Sequence, residues 1–311
     1  MDDHALQLSA PTPVYQDTAL LNAYAAIDAA RRALGVGVLN QSTGADAAAQ
    51  AHANYIVARF AEGDFFAANH TENPAKSGYT GTNAADRVRF AGVAAVEVGE
   101  NLSSIVQVDG ATDNEPGARS VAALLTAPYH RALFFDSLTS IGIGHASARL
   151  KGEGGVNNIL VYNLIVPQGK SRQLPAPTWV GVWPVDGATD TPYEFATEEP
   201  NPIPVNQGRC GGYPISVYVR TGQVLTTKSL TLQETVSGAT VPMQVSTKGN
   251  DANPAFAQAN SMYGIPFRPL KLATSYTVHF TGDNNGMAID KTWRFTTVSR
   301  NLKALVGCDP S

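Results

Sequence analysis

A chain of 311 residues suggests two domains, and its composition, 43% hydrophobic and 15% charged, is that of a soluble globular protein. The formal net charge of −4 carries no basic footprint, so nucleic acid is not an expected partner. No stretch of the sequence reaches the roughly 20 apolar residues that a membrane-spanning helix needs.

Ser, Thr, Gly, Ala, Asn and Pro fill the place of the missing charge, a mix common in extracellular proteins. The start, "MDDHALQLSAPTP", has neither a basic n-region nor an apolar h-region. It reads either as the trimmed start of an exported chain or as a cytosolic start. The native signal sequence or lipid anchor is expected to lie outside this chain. The two cysteines, Cys210 and Cys308, fit a single disulfide closing a long loop in an oxidising compartment, with two unrelated buried thiols as the alternative.

Residues 1–16 read as a flexible segment. Asp17 is placed to cap a helix that runs to about Leu34 and stops at Gly35, with Leu20, Leu21, Tyr24, Ile27 and Leu34 on one face. A second, Ala-rich helix spans about Ala45–Glu62, carrying Tyr55, Ile56 and Phe60 for the core. Asn83 is placed to cap a short helix, "AADRVRFA", ending at Gly92. Another helix covers about Ala118–Thr126 and breaks at Ala127-Pro128. Two strand-like runs follow, "TSIGIGHA" (139–146) and "NNILVYNLIVP" (157–167).

The proline-containing segment "PQGKSRQLPAPT" supplies a linker at 168–178. Beyond it, "SVYVRT", "SLTLQETV", "TVPMQVST", "TSYTVHFTG" and "KTWRFTT" show the alternation and β-branched enrichment of short strands. In one of them Tyr276, Val278 and Phe280 share a face and Thr277 and His279 the other. The expected fold class is α+β: a layered helix-and-sheet domain over 17–167, an all-β sandwich over 179–298, and a tail over 299–311.

Of six histidines, His4 falls in the leading tail, His279 on an outward strand face, His145 in phase with Ile141 and Ile143, and His52 in a packed helix with its nitrogens satisfied locally. His70 and His130 occupy loop or helix-edge positions, where functional side chains concentrate. Glu100 reads as a turn residue after the apolar run ending at Gly99, and Glu72 lies two positions from His70. Two imidazoles with one or two carboxylates suit a divalent cation, zinc by preference. A carboxylate can equally sit behind a histidine and fix its tautomer. Neither GxSxG, HExxH nor a phosphate-binding glycine loop is present, and Ser103 and Ser104 read as local polarity.

The stretches "LNAYAAIDAARRALGVGVL", "AAAQAHANYIVARF", "NHTENPAKSGYTGTNAADRVRFAGV", "VGENLSS", "APYHRALFFDSLTSIGIG" and "VYNLIVP", in that order, resemble the CAP superfamily (cysteine-rich secretory proteins, antigen 5, pathogenesis-related 1), in its bacterial SCP-like branch. The resemblance implies an α-β-α sandwich with a solvent-facing cleft. It also implies that His70, Glu100 and His130 belong to a two-His, two-Glu tetrad, with Glu72 or Glu115 as candidate fourth member. The second half resembles a bacterial Ig-like domain, with Tyr276 at a tyrosine corner.

Three functions are weighed. The first is an exported, non-enzymatic binding protein, secreted, periplasmic or at the cell surface. Its cleft would hold a divalent cation and/or a small hydrophobic or cell-envelope or host-surface ligand, with an Ig-like spacer or adhesion module beside it. The second is a cation-dependent hydrolase of protease type with Glu100 as general base. The third is a purely structural surface module.

Overall fold

The computed structural model describes residues 5–110, 115–149, 154–195, 198–203 and 211–299. Cys210, Cys308 and His4 lie outside these residues, and the disulfide expectation with them. Packing divides the chain into two compact units: residues 1–124 with 133–174, and residues 125–132 with 175–311.

The first unit contains α1 (Thr18–Leu34), β1 (Asn40–Gln41), α2 (Thr43–Ala61), a 3-10 turn (Phe65–Ala67), α3 (Ala84–Phe90), β2 (Ala95–Val108) and most of α4 (Pro116–Thr126). It also contains the end of α5 (Pro128–Phe135), β3 (Ser140–Arg149) and β4 (Gly155–Pro167). Helix α1 follows its sequence signals. The Asp17 carboxylate accepts from Ala19 N, and Gly35 closes the helix at φ +82°. Leu21 departs from the expected apolar face and is exposed, while Ala23, Ala30 and Arg31 are buried in its stead.

Four strands lie in the order β1-β3-β4-β2. β1 pairs with β3 in parallel, and the other pairs are antiparallel. β4 is apolar on both faces because both are covered. Ile159 and Val161 pack with Ala49, Ala53 and Ile56 of α2, and Ile165 with Ala45 and Val88. Tyr162 points the opposite way, toward Ser120 of α4 and Phe134 of α5. The result is a helix–sheet–helix layering.

Helix α2 comes this close because glycine and alanine face each other. A Cβ at Gly142 would fall 2.1 Å from the backbone carbon of Ala45, and one at Gly144 would fall 2.2 Å from Gln50 N. The β2 strand was not expected. "VGENLSS" reads as a turn because Gly99, Glu100 and Asn101 interrupt the apolar pattern, yet Glu100 pairs with Asn163 in the middle of the ladder. Gly99 is small there because a Cβ would sit 2.5 Å from Leu133 Cδ1.

The second unit continues with β5 (Val180–Trp183), β6 (Ala188–Thr191), β7 (Glu194–Phe195), β8 (Gly211–Gly212), β9 (Ile215–Val219), β10 (Leu225–Glu234), β11 (Met243–Thr247), β12 (Ser261–Pro266), β13 (Ser275–Asn284) and β14 (Met287–Thr297). Two four-stranded sheets, β10-β13-β14-β6 and β11-β12-β9-β5, contribute to one apolar core. Val217 and Met262 come from one sheet and Leu232, Val278, Phe280 and Trp293 from the other. The expected alternation in β13 holds, with Tyr276, Val278 and Phe280 inside. The Tyr276 hydroxyl accepts from Lys271 N at 2.8 Å, the upstream backbone bond of a tyrosine corner. Residues 125–132 belong to this unit's interior: Ala127 and Tyr129 pack with Phe195, Tyr263 and Ile265.

Candidate functional site

In the first unit a charged cluster forms where α2, α3 and β2 meet the loop that follows the 3-10 turn. His52, on α2, is fully buried as expected. Its Nδ1 lies 2.9 Å from Glu72 Oε1 and its Nε2 3.0 Å from the Asn69 carbonyl. Both partners are acceptors, so both bonds form together only on the doubly protonated ring. Glu72, proposed from sequence as a neighbour of His70, is thus the partner of His52. It also accepts from Thr80 N at 2.7 Å, which closes the loop on itself.

Arg87 reaches the cluster because Asn83 caps α3, its Oδ1 accepting from Asp86 N. Its Nη2 donates to both Glu100 oxygens at 2.7 Å, and its two terminal nitrogens to the His70 carbonyl at 3.2 Å. With its amide oriented to satisfy both neighbours, Asn163 donates to Glu100 Oε2 at 3.1 Å. Two carboxylates, an arginine and a histidine therefore share one desolvated volume. Burial alone would raise the pKa of Glu100, but the His70 hydrogen bond and the charges of Arg87 and His52 outweigh it and hold the carboxyl below its ordinary value. Glu72 is lowered by the same balance, its burial outweighed by His52, the Thr80 backbone and Arg87.

His70 is where this cluster reaches solvent. Its Nδ1 donates to Glu100 Oε1 at 2.9 Å, the carboxylate side chain being 3% exposed and the imidazole 51%. The other ring nitrogen, Nε2, is turned away from the carboxylate.

The remaining candidates go elsewhere. Glu115 accepts from Gly117 N and Ala118 N at 2.8 and 2.7 Å and serves the first turn of α4. His145 is half-buried between Asp17 and Asn158, as its strand phase suggested. Ser103 bonds Ser120 inside the fold. His130 lies in the second unit, on α5. Pro128 opens that helix rather than merely ending the previous one, since a proline at the first helical position lacks an N–H that would be unpaired anyway. His130 Nδ1 donates to Glu198 Oε2 at 2.7 Å.

Arg87 and Glu198 had no sequence signal. The first hides in a seven-residue amphipathic helix and the second lies 68 positions from its partner.

A divalent cation does not fit the first-unit cluster. Arg87 already neutralises Glu100, both nitrogens of His52 are engaged, and His70 offers one ring nitrogen. Among the described residues no group of three or more His, Cys, Asp or Glu is disposed to hold a metal ion. Nor, among them, is any helix long and apolar enough to cross a membrane.

Residues 24–163 match the family model described as CAP, cysteine-rich secretory protein family. The match supports a CAP domain, spans less than half of the chain, and takes in His52, His70, Arg87, Glu100 and His130 but not Glu198. No curated protein matches the chain.

Proposed function

We propose that this chain is a non-enzymatic binding protein whose ligand meets the imidazole of His70. The observation that carries the reading is the Glu100–His70 pair. The buried, Arg87-pinned carboxylate accepts the Nδ1–H hydrogen bond and leaves Nε2, on the other side of the half-exposed ring, as an acceptor. The 3-10 turn just before it exposes Phe65 and Phe66, 58% and 92% accessible, as apolar ground beside a polar handle. A small hydrophobic or cell-envelope molecule carrying a hydroxyl or ammonium donor suits that pairing. His130, in the second unit, is read separately as a binding residue of that unit.

On this reading the protein is exported, in keeping with its low charge and Ser/Thr/Gly-rich composition. The β unit is then an Ig-like module, a view supported by its two-sheet core and the Tyr276 corner.

The test is native mass spectrometry of the protein after incubation with a cell-envelope lipid extract. An apolar adduct, lost in His70→Ala and weakened in Phe66→Ser, is expected. An adduct indifferent to both substitutions, or none at all, would overturn the reading.

The same pair favours one second reading, a hydrolase. In it the base is His70 rather than Glu100, whose carboxylate is engaged by four donor contacts and held below its ordinary pKa. Peptide turnover abolished by His70→Asn would select it.

A further inference from the structure

Glu198 stands outside the family-matched segment, yet it bonds the His130 ring. Its side chain is 1% exposed. A carboxylate so buried needs donors. Its donors include Tyr129 N at 3.1 Å, His130 N at 3.4 Å and His130 Nδ1 at 2.7 Å. The first two are backbone N–H groups in the opening turn of α5, where the helix dipole also favours negative charge. The third is the shortest, at the length of a charge-assisted bond.

We propose that Glu198 is a positioning residue for His130: held at the N-terminus of α5, it fixes the imidazole as the Nδ1–H tautomer, with Nε2 as acceptor. The construction repeats that of Glu100 and His70, a desolvated carboxylate on Nδ1 behind a more accessible ring, the His130 side chain being 17% exposed. The sequence offered Glu72 and Glu115 for the second carboxylate, but Glu72 holds His52 and Glu115 caps α4. The role falls to a residue of the 175–311 segment, which is thus more than a spacer. The bearing of this pair on ligand binding rests on the reading of His130 given above. The tautomer itself does not.

A carboxylate that merely capped α5 would be indifferent to the ring, and glutamine separates the two roles. In Glu198→Gln the side-chain oxygen can still accept both backbone N–H groups. The amide –NH2 left for the ring can only donate, so Nδ1 must become the acceptor.

The experiment is 15N-resolved imidazole NMR of the full chain at alkaline pH, where rings are neutral, with His130 assigned by its loss in His130→Asn. In the wild type the expected pattern is a protonated Nδ1 and an unprotonated Nε2. Glu198→Gln inverts it wholly or in part, and Glu198→Asp restores it in part. A wild-type His130 protonated on Nε2 would overturn the proposal even if the variants fail to fold, and so would an unchanged pattern in a folded Glu198→Gln. Either failure leaves the His70 adduct experiment unaffected.

Discussion

Arg87 Nη2 lies 2.7 Å from each carboxylate oxygen of Glu100, with the arginine side chain fully buried and that of Glu100 3% exposed. The pair is what permits a carboxylate to stand in the middle of a sheet beneath His70. Removing one partner strands the other in a medium that solvates it poorly.

Replacing Arg87 by Met should therefore destabilise the first unit by about 3–5 kcal/mol, the usual cost of breaking a buried ion pair. Urea unfolding reads it directly. A loss below about 1 kcal/mol would mean that Glu100 escapes to water or takes up a proton.

The depressed carboxyls give a pH dependence of known sign. Glu72 and Glu100 have folded-state pKa values below the reference of 4.5. Their contribution is complete above that value and is lost as pH falls through the folded pKa. The unfolding midpoint should accordingly drop on acidification below about pH 4.5, and more shallowly in Glu100→Gln. An acid limb identical in the two proteins would remove Glu100 from its cause.

Chelation should leave the unfolding midpoint unchanged, and about 100 µM Zn²⁺ should raise stability by less than about 1 kcal/mol. A tight site at a hundredfold excess over Kd would add about 2.7 kcal/mol. A gain of that size, abolished in His70→Ala, would reinstate a metal centre.

Gly142→Ala should cost about 1–3 kcal/mol or more by overpacking, because the new methyl meets the Ala45 backbone at 2.1 Å. The control is Gly154→Ala, where nothing lies within 4 Å and the change should stay within about 0.5 kcal/mol. Equal effects would show that α2 can move off the sheet.

The elements legible in the sequence were those with local chemistry. Asp17 and Gly35 punctuate α1, Asn83 caps α3, and the unbroken apolar run of β4 announces a strand covered on both faces. What failed was non-local. Glu100 reads as a turn residue until Asn163 is seen across the ladder and Arg87 beside it. Pro128 ends one helix and opens the next, two roles that a lone proline does not distinguish. Glu198 and His130 are joined only by the fold.

The stretch 125–132 lies inside the family-matched segment yet packs with residues 175–311, so the seam of inheritance and the seam of packing fall at different residues. Exchanging residues 24–163 for the equivalent piece of another protein would carry off more than one module. It would take Arg131, whose guanidinium donates to the Pro214 carbonyl and Ser216 Oγ, and Tyr129, whose hydroxyl donates to Asp251. The β unit would inherit a foreign helix in its interior. Shuffling at the boundary the sequence suggests would thus demand simultaneous change at Ser216, Asp251 and Tyr263.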